Sequence, residues 1–358
     1  MSGYICPHCT ECTNLFAKGG GQLLAQEYSL PFLGMIPIDN QLNSILDSGI
    51  YSNKENNQEK QFFETEAIKI MPKDYRRAYN IIDLLDEKND DWISKSIYLA
   101  IDNKDVSKTK FVIKVIDLDK MTNFTKYIKE ISWYGQLSHI NLMSMRECFI
   151  IDSKLYFIKT YAQFGSCRDI LHSNPFGIRE NLIAIIMWQV VQALRYLKDK
   201  HIMHRSVATK NIYICDDGRV VLDHFCHCIS MMSDGKLRRQ IYDYDDNLKE
   251  EILYLAPEII FQNTDGYNVK SDVYSLGVTA CELANGTHSY ANLDYTHILL
   301  IKAQGVQPYL LDQTQVSTEM LEQSDTQTEP FLNEIKKRRY SKDFHSFVAC
   351  CVATCVNY

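Results

Sequence analysis

The chain has 358 residues and a formal net charge of −7, long enough for one large two-lobed domain or two ordinary ones. Its hydrophobic content of 46% and charged content of 23% are typical of globular proteins, and the acidic balance offers no basic field for nucleic acid or anionic lipid. No secretory signal is recognisable, the apolar runs are too short to span a bilayer, and the cysteines are expected to be reduced. The sequence predicts a cytoplasmic protein, with the nucleus left open, and no nucleic-acid or membrane partner.

The composition divides the chain into three parts. Residues 1–50 are rich in Cys and Gly, residues 51–74 have the polar composition of a linker, and residues 75–358 form the main domain. Short strand-like runs are followed by helical periodicity, which predicts an α+β fold with a small β-rich lobe and a large helical lobe. The predicted elements are strands Tyr79–Leu85, Ile97–Ile101, Phe111–Leu118, Cys148–Ile151 and Leu155–Thr160, helix Thr125–Leu137, a largely buried helix Asn181–Asp199, a polar disordered insertion at 312–343 and a last helix from Phe344.

Five motifs in the main domain resemble the two-lobed protein kinase fold. In chain order they are His204-Arg205-Ser206, Asn211, Val220–Phe225, Ala256-Pro257-Glu258 and Ser271–Gly277. Each motif alone is common, but their order and spacing together indicate this fold. Within it, His204, Phe225 and Asp272 are interpreted as internal scaffold.

The residues that perform phosphoryl transfer in that family are replaced here. Ser206 stands at the catalytic Asp position, and a serine hydroxyl cannot act as the general base near neutral pH. His224 stands at the Asp that holds Mg²⁺, a cation that binds imidazole poorly. Where the phosphate loop belongs, residues 85–92 contain no glycine and four carboxylates. The sequence therefore predicts a kinase-like domain that is not an enzyme, that is, a pseudokinase.

Lys114, Glu130 and Asn211 are the candidate nucleotide-binding residues. Lys114 occupies the strand-three position, and Glu130 lies nine residues before His139, as the helix-C Glu of kinases does. This pair either binds phosphate or only fixes helix C. Asn211 either supplies a metal ligand or bonds the backbone of its own loop.

Three further features around the cleft carry specific expectations. The ammonium group of Lys159 is expected to occupy part of the cleft. Asp223 is expected to point away from it, because a shift of one residue in an extended chain reverses the side-chain direction. Cys226-His227-Cys228 is not expected to bind zinc, because adjacent residues cannot supply three converging ligands.

Longer phrases resemble the STE20-related adaptor pseudokinases, called STRAD, over residues 79–355. They are His204–Val207, Ile229–Gly235, Gly266–Asp272 and Gly277–Gly286. The resemblance implies ATP binding without turnover and allosteric activation of a partner serine/threonine kinase of the liver kinase B type, aided by a helical-repeat scaffold of the mouse protein twenty-five type. Because the family continues through another helix and a scaffold-docking tail, the domain is expected to be truncated in its last helices.

The partner-binding surface is expected on the outer face of the large lobe, in the segment Ile229–Leu255. Binding needs a defined surface but no catalytic Asp, and this is where a kinase docks its substrate. Tyr242 and Tyr244 are the candidate aromatic anchors. The alternative is that both rings pack internally against the large lobe.

Residues 2–46 resemble the C-terminal part of the Mrp/NBP-type cytosolic iron–sulfur assembly ATPases, which are α/β P-loop proteins. The matching phrases are Cys6–Thr13, Gly19–Gly21 and Pro31–Asp39. The resemblance implies that Cys6 and Cys9 ligate a [4Fe–4S] cluster shared between subunits. The chain has no Gly-Lys-Ser/Thr sequence, so this fragment is not expected to hydrolyse ATP. The favoured alternative is a vestigial segment of a fused or mis-joined gene.

Three functions therefore stand as hypotheses. The leading one is the adaptor that activates a partner kinase. The second is iron–sulfur cluster assembly through Cys6-Pro7-His8-Cys9, and the third is an atypical active kinase with an unusual metal site.

Overall fold

A computed structural model describes the backbone of residues 4–5, 12–13, 69–70, 79–90, 93–103, 108–120, 124–233, 235–244, 251–291, 293–314, 333 and 335–353, with side chains from residue 79 onward except 87–95 and 124–125. The chain forms two compact units, Met1–Glu66 and Ala67–Tyr358. In the first unit, strands β1 (Tyr4–Ile5) and β2 (Cys12–Thr13) pair antiparallel. Cys6 and Cys9 lie outside the described residues, so their role as cluster ligands stays a prediction.

The second unit begins with a sheet in the order β3-β7-β8-β6-β5-β4. Its strands are β3 (Lys69–Ile70), β4 (Tyr79–Asp90), β5 (Ile93–Asp102), β6 (Lys110–Asp117), β7 (Met145–Ile151) and β8 (Lys154–Thr160), and helix α1 (Phe124–Gln136) lies between β6 and β7 in the chain. All neighbours are antiparallel except β3 and β7. The predicted β-rich small lobe is confirmed. Strand β3, which is too short for any periodicity, falls in the stretch predicted as linker.

Strands β4 and β5 form a longer hairpin than the sequence predicted. Pairing continues to Asp90 opposite Ile93, with register shifts between Ile81 and Asp83 and between Leu84 and Asp86. These irregularities break the alternation on which the strand prediction rested, which explains why the ends were misplaced. The backbone at the phosphate-loop position is thus engaged in strand pairing.

The large lobe is mainly helical. Its helices are α2 (Cys167–Ser173), α3 (Glu180–Asp199), α4 (Pro257–Ile260), α5 (Lys270–Asn285), α6 (Tyr295–Ala303) and α7 (Lys342–Val352), with 3-10 turns at Thr209–Asn211 and Phe225–His227. Short antiparallel pairs join β9 (Ile202–Met203) to β12 (Ile229–Ser230), β10 (Ile212–Ile214) to β11 (Val220–Leu222), and β13 (Met232–Ser233) to β14 (Lys236–Leu237). The core sits around α5, which packs against α7 at Gly277, where a Cβ atom would stand 2.7 Å from the Cys351 and Val352 side chains.

Helix α3 is less buried than its apolar content predicted. One face, including Ile183, Val190 and Leu197, is buried in the core. Leu182, Ile185 and Trp188 are exposed, with 64% of Trp188 accessible. Apolar residues occur on more than one face of this helix, so periodicity alone overestimated its burial. Among the described residues, no helix has both the length and the apolar character needed to cross a membrane.

The ends of the predicted insertion at 312–343 belong to the packed lobe. Asp312 is buried and accepts hydrogen bonds from the Tyr340 and Thr314 amides, and Ile335 is also buried. The Tyr340 hydroxyl and the Arg338 guanidinium donate to the Ala284 carbonyl at 2.8 and 3.1 Å. The predicted boundaries were therefore too wide, because polar composition did not reveal these specific tertiary hydrogen bonds.

Candidate functional site

The nucleotide-cleft position of the kinase fold contains four charged side chains, which we call the charge quartet: Lys114, Glu130, Lys159 and Asp223. The last three are buried, and Lys114 is partly exposed. Strands β6 and β8 pair so that Val112 lies opposite Lys159, and helix α1 brings in Glu130. The Lys114 Nζ atom is 3.8 Å from Glu130 Oε2, whereas Lys159 Nζ is 3.3 Å from Glu130 Oε1. Lys159 therefore makes the closer ion pair with the helix-C Glu.

Asp223 lies inside the quartet, contrary to the prediction that it points away. Its Oδ2 atom is 3.2 Å from Lys159 Nζ, and its Oδ1 atom accepts a hydrogen bond from Tyr134. The prediction assumed a uniformly extended chain, but the next residue, His224, has left-handed backbone with φ of 75°. The strand ends at Leu222, so the alternation rule no longer applied.

The quartet is balanced, with two cations and two anions. Burial alone would raise the pKa of Glu130, but Lys114 and Lys159 outweigh it and hold the pKa well below its ordinary value. Burial would likewise lower the pKa of Lys159, and Asp223 and Glu130 instead raise it. For Lys114 burial dominates and lowers the pKa, with Glu130 opposing. Glu130 and Lys159 thus stabilise each other's ionised forms, whereas burial disfavours the ionised form of Lys114.

Tyr134 completes this arrangement, although the sequence reasoning did not select it. Its hydroxyl accepts a hydrogen bond from Lys159 and contacts Glu130 Oε1 at 3.3 Å. Burial, followed by Asp223 and Glu130, raises its pKa well above the ordinary value. Its position one helical turn after Glu130 was the available signal, because residues four apart share a helix face.

The scaffold predicted from the motifs is present. Tyr134, Phe225 and His204 stack edge to face, with ring centroids 4.9 and 5.7 Å apart. Asp272 accepts from the backbone N–H groups of His204 and Arg205 at 2.8 and 2.7 Å. Helix α1, the degenerate metal motif and the catalytic-loop position are therefore joined through one buried column of rings.

The residues at the catalytic-loop position hydrogen-bond to one another. Ser206 is buried, and Asn211 Nδ2 donates to both its hydroxyl and its carbonyl at 2.8 and 2.9 Å. Asn211 thus bonds its own loop, as one of the two predicted alternatives stated. Arg205 donates to the His227 carbonyl and the Tyr267 hydroxyl at 2.6 and 2.9 Å, so its guanidinium is engaged within the lobe.

The turn after the metal-motif position brings together three metal-binding side chains. The donor atoms of His224, Cys226 and His227 all lie within 4.8 Å of one another, and Cys226 Sγ is 3.2 Å from His224 Nε2. The sequence argument rejected a zinc site at Cys226-His227-Cys228, and Cys228 lies outside this cluster. That argument did not consider His224, whose left-handed backbone is followed by a 3-10 turn that folds the side chains toward one point.

The two candidate partner-binding tyrosines have different surroundings. Tyr242 is 60% exposed. Tyr244 packs its ring 5.4 Å from that of Tyr267 and donates a hydrogen bond to the Asn263 carbonyl at 2.8 Å. The structure therefore places one aromatic ring at the surface and one against the large lobe.

A family model described as protein tyrosine and serine/threonine kinase matches residues 93–336. The STE20-related kinase adapter protein alpha of Mus musculus is 34% identical over 235 residues, which cover 60% of this chain and 54% of the relative. The adapter protein strd-1 of Caenorhabditis elegans is 31% identical over 257 residues, covering 72% and 65%, respectively. The beta protein of Homo sapiens is 36% identical over 168 residues, covering 47% and 40%.

This chain spans less than two thirds of the length of each of these relatives. A second family model, described as NUBPL iron-transfer P-loop NTPase, matches residues 1–71, in agreement with the resemblance found at the N-terminus. The motif order, the two-lobed fold and the match over residues 93–336 together identify the main domain. The chain belongs to the protein tyrosine and serine/threonine kinase family, and its homologues include the STE20-related kinase adapter proteins.

Proposed function

We propose that this chain is a catalytically inactive, kinase-like adaptor that binds a serine/threonine kinase of the liver kinase B type and activates it allosterically. The charge quartet carries the proposal. Lys159 and Asp223 add an ion pair behind the Lys114–Glu130 pair, at 3.2 Å between Lys159 Nζ and Asp223 Oδ2. Protein groups alone thus hold helix α1 against the large lobe, which suits an adaptor that presents one fixed conformation.

The chemistry of the cleft supports an inactive domain. Ser206 and Asn211 are hydrogen-bonded to each other, and neither supplies a carboxylate that could accept a proton from a substrate hydroxyl. His224 replaces the hard oxygen ligand that Mg²⁺ requires. An atypical active kinase would need another general base and another Mg²⁺ ligand. Asp223 is the carboxylate nearest to His224 in the sequence, but it already bonds Lys159 and Tyr134.

The nucleotide role of Lys114 is a separate proposal. Its ammonium is held by Glu130 at 3.8 Å and lies 5.2 and 5.3 Å from the ring centres of Tyr127 and Phe157. Because Lys159 also pairs with Glu130, Lys114 is the less tightly held cation of the quartet and is the one that we propose to contact ATP. Binding without turnover follows from the missing base and metal ligand.

The proposed partner surface contains exposed apolar side chains in the segment Ile229–Leu255. Met232 and Leu237 lie opposite each other in the β13–β14 pair, and both are exposed, as is Tyr242. Tyrosine is one of the residue types enriched among those that dominate the binding energy of protein interfaces, which makes Tyr242 the strongest candidate. A helical-repeat scaffold of the mouse protein twenty-five type is the further partner that the family resemblance implies.

The test is the activity of a liver kinase B type partner, measured with increasing amounts of the wild-type chain. If this chain binds the partner's active state 100-fold more tightly than its inactive state, the coupling free energy is about 2.7 kcal/mol. Tyr242→Ala with Leu237→Ala is expected to abolish most of the activation while the fold is retained, because both side chains are exposed. Tyr244→Phe is the matched control and should activate normally, because it keeps the packed ring. Full activation by the double variant would refute the surface assignment.

A second candidate function rests on the family match over residues 1–71. We propose that Cys6 and Cys9 hold a labile iron–sulfur cluster shared between two chains, with a vestigial segment as the alternative. Anaerobic reconstitution with iron and sulfide is expected to give a visible charge-transfer band that requires both thiols. A band that persists in the Cys6→Ser, Cys9→Ser double variant would rule out this assignment, and failure to form any cluster would favour the vestigial alternative.

A further inference from the structure

We propose that His224, Cys226 and His227 form a transition-metal site of the Zn²⁺ class beside Glu251, so that the metal joins the two ends of the segment between the degenerate metal motif and the Ala-Pro-Glu motif. This site is distinct from the proposed cluster at Cys6 and Cys9. It depends neither on partner binding nor on nucleotide binding.

The geometry of the donor atoms fits one shared metal ion. Cys226 Sγ and His224 Nε2 are 3.2 Å apart, and two such atoms on a tetrahedral Zn²⁺ stand ~3.5 Å apart, from Zn–S and Zn–N bonds of about 2.3 and 2.0 Å. The ring centroids of His224 and His227 are 5.4 Å apart. A small rearrangement therefore suffices to place three donors on one ion.

The type of donor selects the metal. One thiolate and two imidazoles are soft or intermediate ligands, which favour Zn²⁺ over Mg²⁺. The replacement of a hard carboxylate by His224 therefore does more than remove a Mg²⁺ ligand, because with Cys226 it creates the donor set of a different metal.

A buried carboxylate beside the cluster supplies compensating charge. Glu251 is 1% exposed, and its Oε1 atom lies 3.9 Å from His224 Nε2 and 2.7 Å from the Lys210 ammonium. Its Oε2 atom has no hydrogen-bond partner within the part of the chain that the structure describes. A carboxylate oxygen buried in this state is costly unless a cation or donor reaches it. A bound divalent ion would meet that need, and Glu251 is the candidate fourth ligand.

Access to the site is also present. The His224 side chain is 29% exposed, whereas Cys226 and His227 are buried. An ion can thus enter from the His224 side and be enclosed by the other two ligands. Because Cys binds metal as the thiolate, the Cys226 thiol releases its proton to solvent as the metal–sulfur bond forms.

The experiment uses the full chain carrying Cys6→Ser and Cys9→Ser, which removes the other candidate cysteine site. Co²⁺ serves as the spectroscopic probe, and Zn²⁺ affinity is measured by competition with a chromophoric chelator. We expect one bound ion per chain and a thiolate-to-Co²⁺ charge-transfer band. The band should vanish in Cys226→Ser and remain in Cys228→Ser, the matched control two residues away. Absence of one-to-one binding, or a band that depends on Cys228 but not on Cys226, would overturn the proposal.

A second measurement guards against variants that fail to fold. His224→Gln changes the most exposed ligand and is expected to weaken Zn²⁺ binding by ~10-fold or more, because even outer partners of metal ligands contribute 10–100-fold. In the chain with Cys226 intact, Zn²⁺ should also protect Cys226 from alkylation and leave the exposed Cys350 reactive. Unchanged affinity in His224→Gln, or no protection of Cys226, would equally contradict the site.

Discussion

Lys159 is the residue on which the charge balance of the cleft depends most. Its ammonium group contacts Glu130, Asp223 and the Tyr134 hydroxyl, whereas Lys114 has only the longer contact to Glu130 among the ion pairs of the quartet. Removing Lys159 leaves two buried carboxylates with one cation. Removing Lys114 leaves the Lys159 pairs in place.

Lys159→Met is therefore expected to lower the free energy of unfolding by ~3–5 kcal/mol, the usual effect of breaking a buried ion pair on one side. Lys114→Met is the matched control and should lower it less, because that side chain is 15% exposed and its pair is longer. Urea denaturation followed by circular dichroism measures both. Equal losses in the two variants would contradict the assignment of Lys159 as the dominant cation.

A double-mutant cycle separates the Lys159–Asp223 interaction from general disruption. The Lys159→Met, Asp223→Asn double variant should lose less stability than the sum of the single variants, because each change removes the charge that the other leaves unpaired. The coupling is expected within the range of about 0.5–3 kcal/mol seen for contacting residues. Strict additivity would show that the two side chains do not interact in solution.

At the residue scale, the sequence predicted which catalytic side chains are missing better than it predicted the arrangement of the side chains that replace them. Ser206 and His224 were found because they interrupt motifs whose chemistry is known. Asp223 was misplaced because its prediction assumed extended backbone, and the left-handed residue at His224 breaks that assumption. The cluster of His224, Cys226 and His227 was not foreseen, because only the adjacent residues Cys226-His227-Cys228 were considered as ligands. A histidine gives no sequence signal of positive φ comparable to that of glycine.

At the scale of elements, Lys302 joins helix α6 to the segment before the Ala-Pro-Glu motif. Its ammonium group donates to the carbonyls of Ile252, Leu253 and Leu255 at 2.9, 3.0 and 2.6 Å. The rings of Tyr274 and Tyr290 lie 5.4 and 5.2 Å from it. One buried cation thus satisfies three backbone acceptors of a segment that has no regular helix or strand.

Lys302→Met is expected to lower the free energy of unfolding by ~1–3 kcal/mol, because it leaves buried carbonyls without their donor. Lys198→Met, on the exposed side of α3, is the control and should change stability by less than ~0.5 kcal/mol. Urea unfolding of the two variants beside wild type gives the comparison. If Lys302→Met were as stable as the control, the hydrogen bonds of Lys302 to the three carbonyls would contribute little to stability.

The elements themselves were predicted unevenly. The helices and the central strands were found because their burial follows a regular period, as in Asn181–Asp199, which differs by one residue from α3. The β4–β5 hairpin and the ends of the predicted insertion were misjudged, because bulges and single side-chain hydrogen bonds leave no periodic trace. Lys302 was missed because a single lysine in an apolar helix usually packs its aliphatic stem against the protein and extends its ammonium group into water.

For the whole molecule, two buried histidines predict acid sensitivity. Burial, with the His227 ring nearby, lowers the pKa of His204 to about 3, and burial with the charges of Lys302 and Arg168 lowers that of His288 to about 3. Between pH 6.5, the ordinary histidine pKa, and about pH 3, these two histidines bind protons in the unfolded chain but not in the folded chain. Their contribution to stability is therefore complete above pH 6.5 and is lost as the pH falls.

Each such histidine should add a slope of up to ~1.4 kcal/mol per pH unit in this window. We expect the free energy of unfolding to fall between about pH 6.5 and about pH 4, and to fall less steeply in His288→Asn, which removes one titrating ring. Urea unfolding at several pH values measures the slopes. His297→Asn changes an exposed histidine and serves as the control. Identical slopes in wild type and His288→Asn would show that His288 does not titrate on unfolding.

The main domain keeps the scaffold of the kinase fold, while Ser206 and His224 stand at two positions where the family has carboxylates. The column of Tyr134, Phe225 and His204 connects the two lobes of the second unit, and the Asp272 hydrogen bonds fix the catalytic-loop backbone within the large lobe. The groups that would move a proton or hold Mg²⁺ are absent from the motif positions. This combination agrees with the proposed function, which is binding rather than catalysis.

The most direct measurement is phosphate transfer by the purified chain to itself and to generic protein substrates, with Mg²⁺ or Mn²⁺ and labelled ATP. The account predicts no incorporation above background, because Ser206 and His224 cannot replace the two missing carboxylates. Any trace that persists in Lys114→Ala and Asn211→Ala would come from a contaminating kinase. Incorporation that is present in wild type and abolished by both changes would contradict the central claim.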